Sequence, residues 1–290
     1  MQEERYSSIS SSATGGINKP VYPAELARIV LSQCEISPKK FKGIYSDADI
    51  QGDIDWAINT EKKFEPSPIK KYGDIFEAIV YERGAKSGWF GTNSQIIKTS
   101  RFDDYRNKID LVVETQDEAG EFTQSALGVD VTFGSQDLAK KFIKIRDDID
   151  AGKLGYVKYF LADRPKRQKF AGPLHNIPHV VIGTEVDRVT ELGRLWMDPK
   201  KANALTTNPI QMTMLEEAAL QLEAFRDYAA AGKSDTIREL APILDQKLKD
   251  IEKLLKEKRT AGLKSMGPDA VFEEIKRNLQ YFTNPDIAKV

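Results

Sequence analysis

The sequence predicts an α/β protein, with a mixed β-sheet flanked by helices and a helical C-terminal unit behind it. Three observations carry that expectation. Between residues 67 and 204, short runs rich in β-branched and aromatic residues alternate with helical stripes. From residue 205 onward only helix-period patterns remain. The 290 residues, 40% hydrophobic and 30% charged, are an ordinary soluble mix, enough for one large domain or a core with an accessory unit.

Residues 1–22 contain "SSISSSATGG", which has little to bury and reads as a disordered tail. An N-terminal extension, 23–66, opens with a helix over Pro23–Ser37 on Leu26, Ile29, Val30 and Gln33. The mixed stretch after Pro38 keeps Trp56 and Ile58 for packing. The core, 67–204, begins with a helix after Pro68 whose stripe is Ile69, Tyr72, Ile75, Phe76, Ile79 and Val80. Gly84 and Gly88 end it, and Trp89 and Phe90 then read as core. Strands are expected at 109–113 (IDLVV), 126–133 (ALGVDVTF), 155–161 (GYVKYFL) and 179–183 (HVVIG), with a helix at 135–150. "DRPKRQKF", 163–170, reads as a flexible basic loop after the third strand. In the C-terminal unit, 205–290, one helix ends at Gly232. A second opens on the capping signal at Ser234 and runs to Gly262 on Leu240, Leu244, Leu248, Ile251 and Leu255, and a third spans Pro268–Phe282.

Charge narrows the function little: 43 Lys plus Arg against 44 Asp plus Glu leaves a net charge of −1. A local basic groove fits inside such a neutral total. Cys34 is the only cysteine, which excludes an intrachain disulfide and a thiolate zinc cluster and fits a reducing compartment. No apolar run approaches the roughly 18 residues of a membrane span, so the expectation is a cytoplasmic, soluble protein without a membrane partner. There is no Walker-type phosphate loop and no nucleophile elbow. His175 and His179 flank Pro178, and two ligands do not make a zinc site.

The strand runs at 109–113 and 126–133 are joined by the polar "ETQDEAGEFTQS", which predicts an antiparallel hairpin centred near Gly120. That centre sets Asp110 opposite Asp130, where like charges repel. A one-residue slip would separate them onto different faces. Neither strand carries a basic residue to offset the pair. A divalent metal would, since Mg²⁺ takes one or two carboxylates plus water and a phosphate oxygen. Two edge aspartates facing solvent are the other reading.

Glu77 lies in "GDIFEAIV", beside the apolar stripe of the helix at 67–84. Through "GDIFEAIV", "KIDLVV" and "GVDVTFG", in the order helix, acidic hairpin, helix, strand, the chain resembles the PD-(D/E)XK nuclease superfamily over about residues 68–183. The resemblance implies a restriction-endonuclease-like fold that hydrolyses phosphodiester bonds with Mg²⁺ or Mn²⁺. It makes Asp110, Asp130 and the Val131 carbonyl metal ligands, and Glu77 the helix acid that orients a metal-bound water. The family pattern wants acid-x-Lys, whereas this chain has Asp130-Val131-Thr132. Thr132 shares a face with Asp130 and cannot stabilise developing negative charge as an ammonium would. In the next helix Leu138, Phe142, Ile145 and Ile149 define the buried stripe. Lys141 lies about 70° from it, Lys144 about 130°, and Lys140 nearly opposite. The superfamily includes members whose lysine has moved to this helix, so Lys141 is expected to snorkel to the acids and Lys140 to face water.

These expectations describe a metal-dependent nuclease, with a DNA endonuclease favoured. Lys144, Arg164, Lys166, Arg167 and Lys169 would grip the nucleic-acid backbone. The mixed-charge run "KTSRFDDYRNK", 98–108, would line the substrate groove, and Tyr105 and Arg106 would stack on or grip nucleic acid. The C-terminal helices would clamp substrate or form a homodimer. The alternative is a catalytically inactive nuclease-like fold that binds nucleic acid or a protein, with Thr132 in its favour. A third reading is an assembly protein that works through its helical C-terminus.

Overall fold

The computed structural model describes residues 22–63, 70–116, 126–135, 137–164 and 168–283, without the side chains of 163–169 and 202. The expected tail, the helix start at Pro68 and Ile69, the hairpin turn at Gly120, and Lys166 and Arg167 fall outside the described residues.

Four strands form a mixed sheet: β1 (Ser94–Lys98), β2 (Leu111–Thr115), β3 (Leu127–Phe133) and β6 (His179–Thr184), in the order β1-β2-β3-β6. β1 pairs antiparallel with β2 and β2 with β3, whereas β6 lies parallel to β3. A parallel return needs a long crossover. Here it consists of a helix, α5 (Leu138–Asp150), and a hairpin of β4 (Gly155–Arg164) and β5 (Gln168–Ile177), which forms a separate two-stranded sheet.

Side-chain alternation sorts the apolar residues into two cores. Leu111, Val113, Leu127, Val129 and Val131 face the larger one, together with α3 (Lys70–Ser87), α5 and the C-terminal helices. Val112, Ile97 and Ile109 face the smaller one, with Phe41, Val157, Tyr159 and Phe160. The predicted α5 stripe is buried in full. Trp89 is also fully buried, its indole N–H donating to the Leu205 carbonyl.

Several elements differ from the expectation. The first helix, α1 (Pro23–Cys34), stops at Cys34, and the unassigned stretch behind it contains α2 (Asp47–Glu61). β1, α4 (Arg101–Asn107), β5 and α6 (Val186–Met197) were not anticipated. The described ends of the basic segment are strand instead of loop: Asp163 pairs with Lys169 and Arg164 with Gln168 across the β4–β5 hairpin, in the two-stranded sheet. Pro173 interrupts no ladder that matters there, because β5 is an edge strand. Beyond α7 (Ile210–Ala230), the helix expected over 234–262 is broken into α8 (Asp235–Arg238) and α9 (Ala241–Thr260). Pro242 explains the break: lacking an N–H, it is tolerated in the first turn of a helix and not in its interior. The final expected helix likewise starts at Asp269, which caps α10 (Ala270–Asn278), before α11 (Gln280–Thr283).

The β6 edge of the sheet is closed by side chains instead of another strand. On α7, Gln221 accepts from the Val181 N–H (2.8 Å) and donates to the Val181 carbonyl (2.6 Å), while Glu217 accepts from the Gly183 N–H (3.0 Å). Four helical residues rise about 6 Å and two strand residues about 6.7 Å, so the two spacings match. Among the described residues no helix is long and apolar enough to cross a membrane.

Candidate active site

The two strand acids sit level with one another. Leu111 pairs with Val129, so continuing the register by one step sets Asp110 beside Asp130. The backbone of Asp110 is held from both sides: its N–H donates to the Val129 carbonyl (2.9 Å), and its carbonyl accepts from the Thr99 N–H (3.0 Å) and Oγ1 (3.1 Å). Lys108, in the left-handed region at φ 60°, ends α4 and turns the chain into this position. Both carboxylates are buried, Asp110 8% and Asp130 4% exposed, with Asp130 on the strand face opposite Val129 and Val131.

Their oxygens have different partners. Asp110 Oδ2 accepts from the Val131 N–H at 2.7 Å. Asp130 Oδ1 is 2.5 Å from Lys141 Nζ, whereas Asp130 Oδ2 is buried without a hydrogen-bond partner. Lys141 therefore reaches the acids as its angle on α5 predicts. Burial pulls its pKa down, but Asp130 and Asp110 more than offset that and raise it, keeping the ammonium charged. Lys140 points outward to Asp137, and Lys144 pairs with Asp148 at 2.7 Å while still lining the cleft.

Glu77 approaches from α3, which packs tightly on the end of β3: a Cβ on Gly73 would meet the Phe133 ring at 2.9 Å. A lysine that the sequence reading held only within the mixed-charge run 98–108, without a role of its own, meets it. Lys98, only 5% exposed at the end of β1, lies 2.8 Å from Glu77 Oε1 and 3.0 Å from Asp104 Oδ2. Desolvation disfavours its charge, but Asp104, Glu77 and Asp110 raise its pKa well above the usual value. Burial pushes Glu77 up to about 7 and Asp110 well above the carboxylate range, with Asp104 and the neighbouring acids adding to both. The signal for Lys98 in the sequence is faint, one cation after the apolar pair Ile96-Ile97.

These groups line a cleft of about 740 Å³. Its lining mixes charge: Glu35 and Glu61 pair with Arg101, Asp104 pairs with Lys98, and Arg28, Lys70, Lys108, Lys140, Lys141 and Lys144 add further cations. Tyr105 lines the cleft, while Arg106 lies over the Trp56 ring at 5.4 Å. Among the described residues no group of three His, Cys, Asp or Glu side chains is gathered as a metal cage. The donors nevertheless fit Mg²⁺, which needs only one or two carboxylates beside water and phosphate oxygens. Asp130 Oδ2 is a buried oxygen without a hydrogen-bond partner among the described residues, and Asp110 is burdened by burial and by neighbouring negative charge. The carbonyl of Val131 projects to the same strand edge as its N–H, towards Asp110.

No family model, curated protein or solved structure matches this chain.

Proposed function

We propose that the protein is a metal-dependent nuclease with a restriction-endonuclease-like core, hydrolysing phosphodiester bonds with DNA as the favoured substrate. The single observation that carries the reading is the level pair Asp110 and Asp130 in an open cleft, with a lysine from the following helix on one of them. The order of helix α3, the β1-β2-β3 meander, α5 and parallel β6 supports it further. Asp110, Asp130 and the Val131 carbonyl would hold Mg²⁺ or Mn²⁺, which when bound lowers the pKa of water and offsets phosphate charge. Lys141 supplies a fixed ammonium where negative charge develops, the task acid-x-Lys assigns to a strand residue. Lys98 keeps Glu77 and Asp104 anchored at the cleft floor.

A second reading has its own observation in favour. Lys141 and Lys98 already offset several of the acids, as a non-catalytic nucleic-acid- or protein-binding fold would require. Calorimetric Mn²⁺ titration combined with cleavage of labelled DNA and RNA separates the two. Metal binding that is lost in Asp130→Asn, together with cleavage, supports the nuclease. Nucleic-acid binding that ignores metal, without cleavage, overturns it.

A further inference from the structure

A second cavity adjoins the acid cleft. It has a volume of about 240 Å³ and is lined by Asn107, Lys144, Lys153, Tyr156, His175 and Asn176. Lys144 lines both spaces and so joins them. On the outer side the rings of Tyr156 and His175 lie 4.8 Å apart at 45°, with His175 exposed on β5. Lys144 and Lys153 both contact Asp148, which fixes two ammoniums at the cavity's rim (2.7 and 3.3 Å). Asn176 is held at φ 53°, its Oδ1 accepting from the Leu154 N–H (3.2 Å), so the floor is built.

We propose that this cavity is a nucleotide subsite, taking one unpaired base of a single-stranded nucleic acid whose adjacent phosphate lies in the acid cleft. The proposal rests on the nuclease reading for the chemistry at Asp110 and Asp130, but not for binding itself. Two features select a single strand. Flat rings beside two cations are the combination that binds unstacked bases and their phosphates without reading sequence. The space lies just below the roughly 300 Å³ at which drug-sized ligand pockets begin, a scale for one base and not for a duplex.

The test measures binding and cleavage separately. Fluorescence anisotropy without divalent metal compares a labelled single strand, as DNA and as RNA, with the same strand in a duplex. The expected result is preference for the single strand, and a loss of about tenfold in His175→Ala, the scale of one base–ring stack. Lys153→Glu should weaken the same complex and steepen nothing in duplex binding. Both side chains are exposed, so folding is not at stake. Duplex preference, or wild-type affinity in both variants, overturns the subsite. Mn²⁺-dependent cleavage is then assayed on the same proteins. His175-dependent binding without cleavage sinks the nuclease reading and keeps the subsite. Cleavage indifferent to His175 and Lys153 does the reverse, and a protein that neither binds nor cleaves removes both.

Discussion

Asp130 and Glu217 are both buried carboxylates with one oxygen bonded and the other without a partner, yet they stand in opposite situations. Glu217 accepts from the Gly183 N–H, deep between α7 and β6. Burial pushes its pKa well up, which favours the neutral form of this clasp on the sheet edge. Asp130 meets the full charge of Lys141 and opens into a cleft. The contrast teaches that an orphaned oxygen is answered by a proton where solvent is excluded, and by a cation where one can enter. Acidity alone does not mark a site. Access and the charge of the partner do.

The sharpest way to break that contrast is to neutralise each acid in turn. Asp130→Asn is expected to lower Mn²⁺-dependent cleavage by about a hundredfold or more, the scale of losing a preorganised electrostatic group. Glu217→Gln should leave the rate unchanged, because the amide oxygen still accepts from Gly183. A comparable loss in both would show that the site extends through β6.

Removing the lysines comes next. Lys98→Met leaves Glu77 and Asp104 without their shared cation and should cost about 3 kcal/mol or more in urea unfolding, since breaking a buried pair strands a charge. Lys141→Ala should cut the rate severely while costing less stability, because Asp130 borders the open cleft. Equal destabilisation by the two would deny the distinction between floor and rim.

Two pH slopes of opposite sign follow from burial. His179, at the start of β6, is pulled down to about 4 by desolvation, against about 6.5 in the unfolded chain. The unfolded state therefore binds the extra proton between those values, and stability falls as pH drops from about 6.5 to about 4. The total is about 3 kcal/mol at 1.36 per unit. His179→Leu should flatten that limb of a urea-unfolding series. Glu217 works the other way. Its raised folded pKa means the native state keeps a proton that the unfolded state releases above about 4.5, so stability declines as pH rises from there. Glu217→Gln should remove that decline.

Much of the cleft was legible in the chain because the signals were local and redundant. Alternation fixed which strand residues share a face, and a turn near Gly120 fixed which acids oppose. The 3.6-residue period set the angle that brings Lys141 to Asp130. Lys98 was illegible for the converse reason. "SQIIK" offers only two apolar residues, and a terminal lysine reads as solvated until Glu77 and Asp104 arrive from α3 and α4. β5 was misread because "KFAGPLHNI" carries Gly172 and Pro173, turn residues that a two-stranded edge tolerates. α6 was missed although Val189, Leu192 and Trp196 form a buried face. Its Gly193 lies over Pro23 of α1 and Ile75 of α3, where an added Cβ would make ordinary contact at 3.5 Å.

Thr132 is 7% exposed and leans on β6: a Cβ added to Gly183 would lie 2.7 Å from its methyl group. Its side chain shares a face with Asp130 and lines the cleft that Lys141 enters from α5. An ammonium there is an address in space, and the chain has two routes to it. Thr132→Lys placed on Lys141→Ala is expected to recover cleavage. A sequence with lysine at both positions would set an ammonium against each oxygen of Asp130 and leave none for metal. Migration of the cation between strand and helix would then pass through either a crowded intermediate or an empty one, and kinship built on this site would be traced by superposed atoms more readily than by aligned letters.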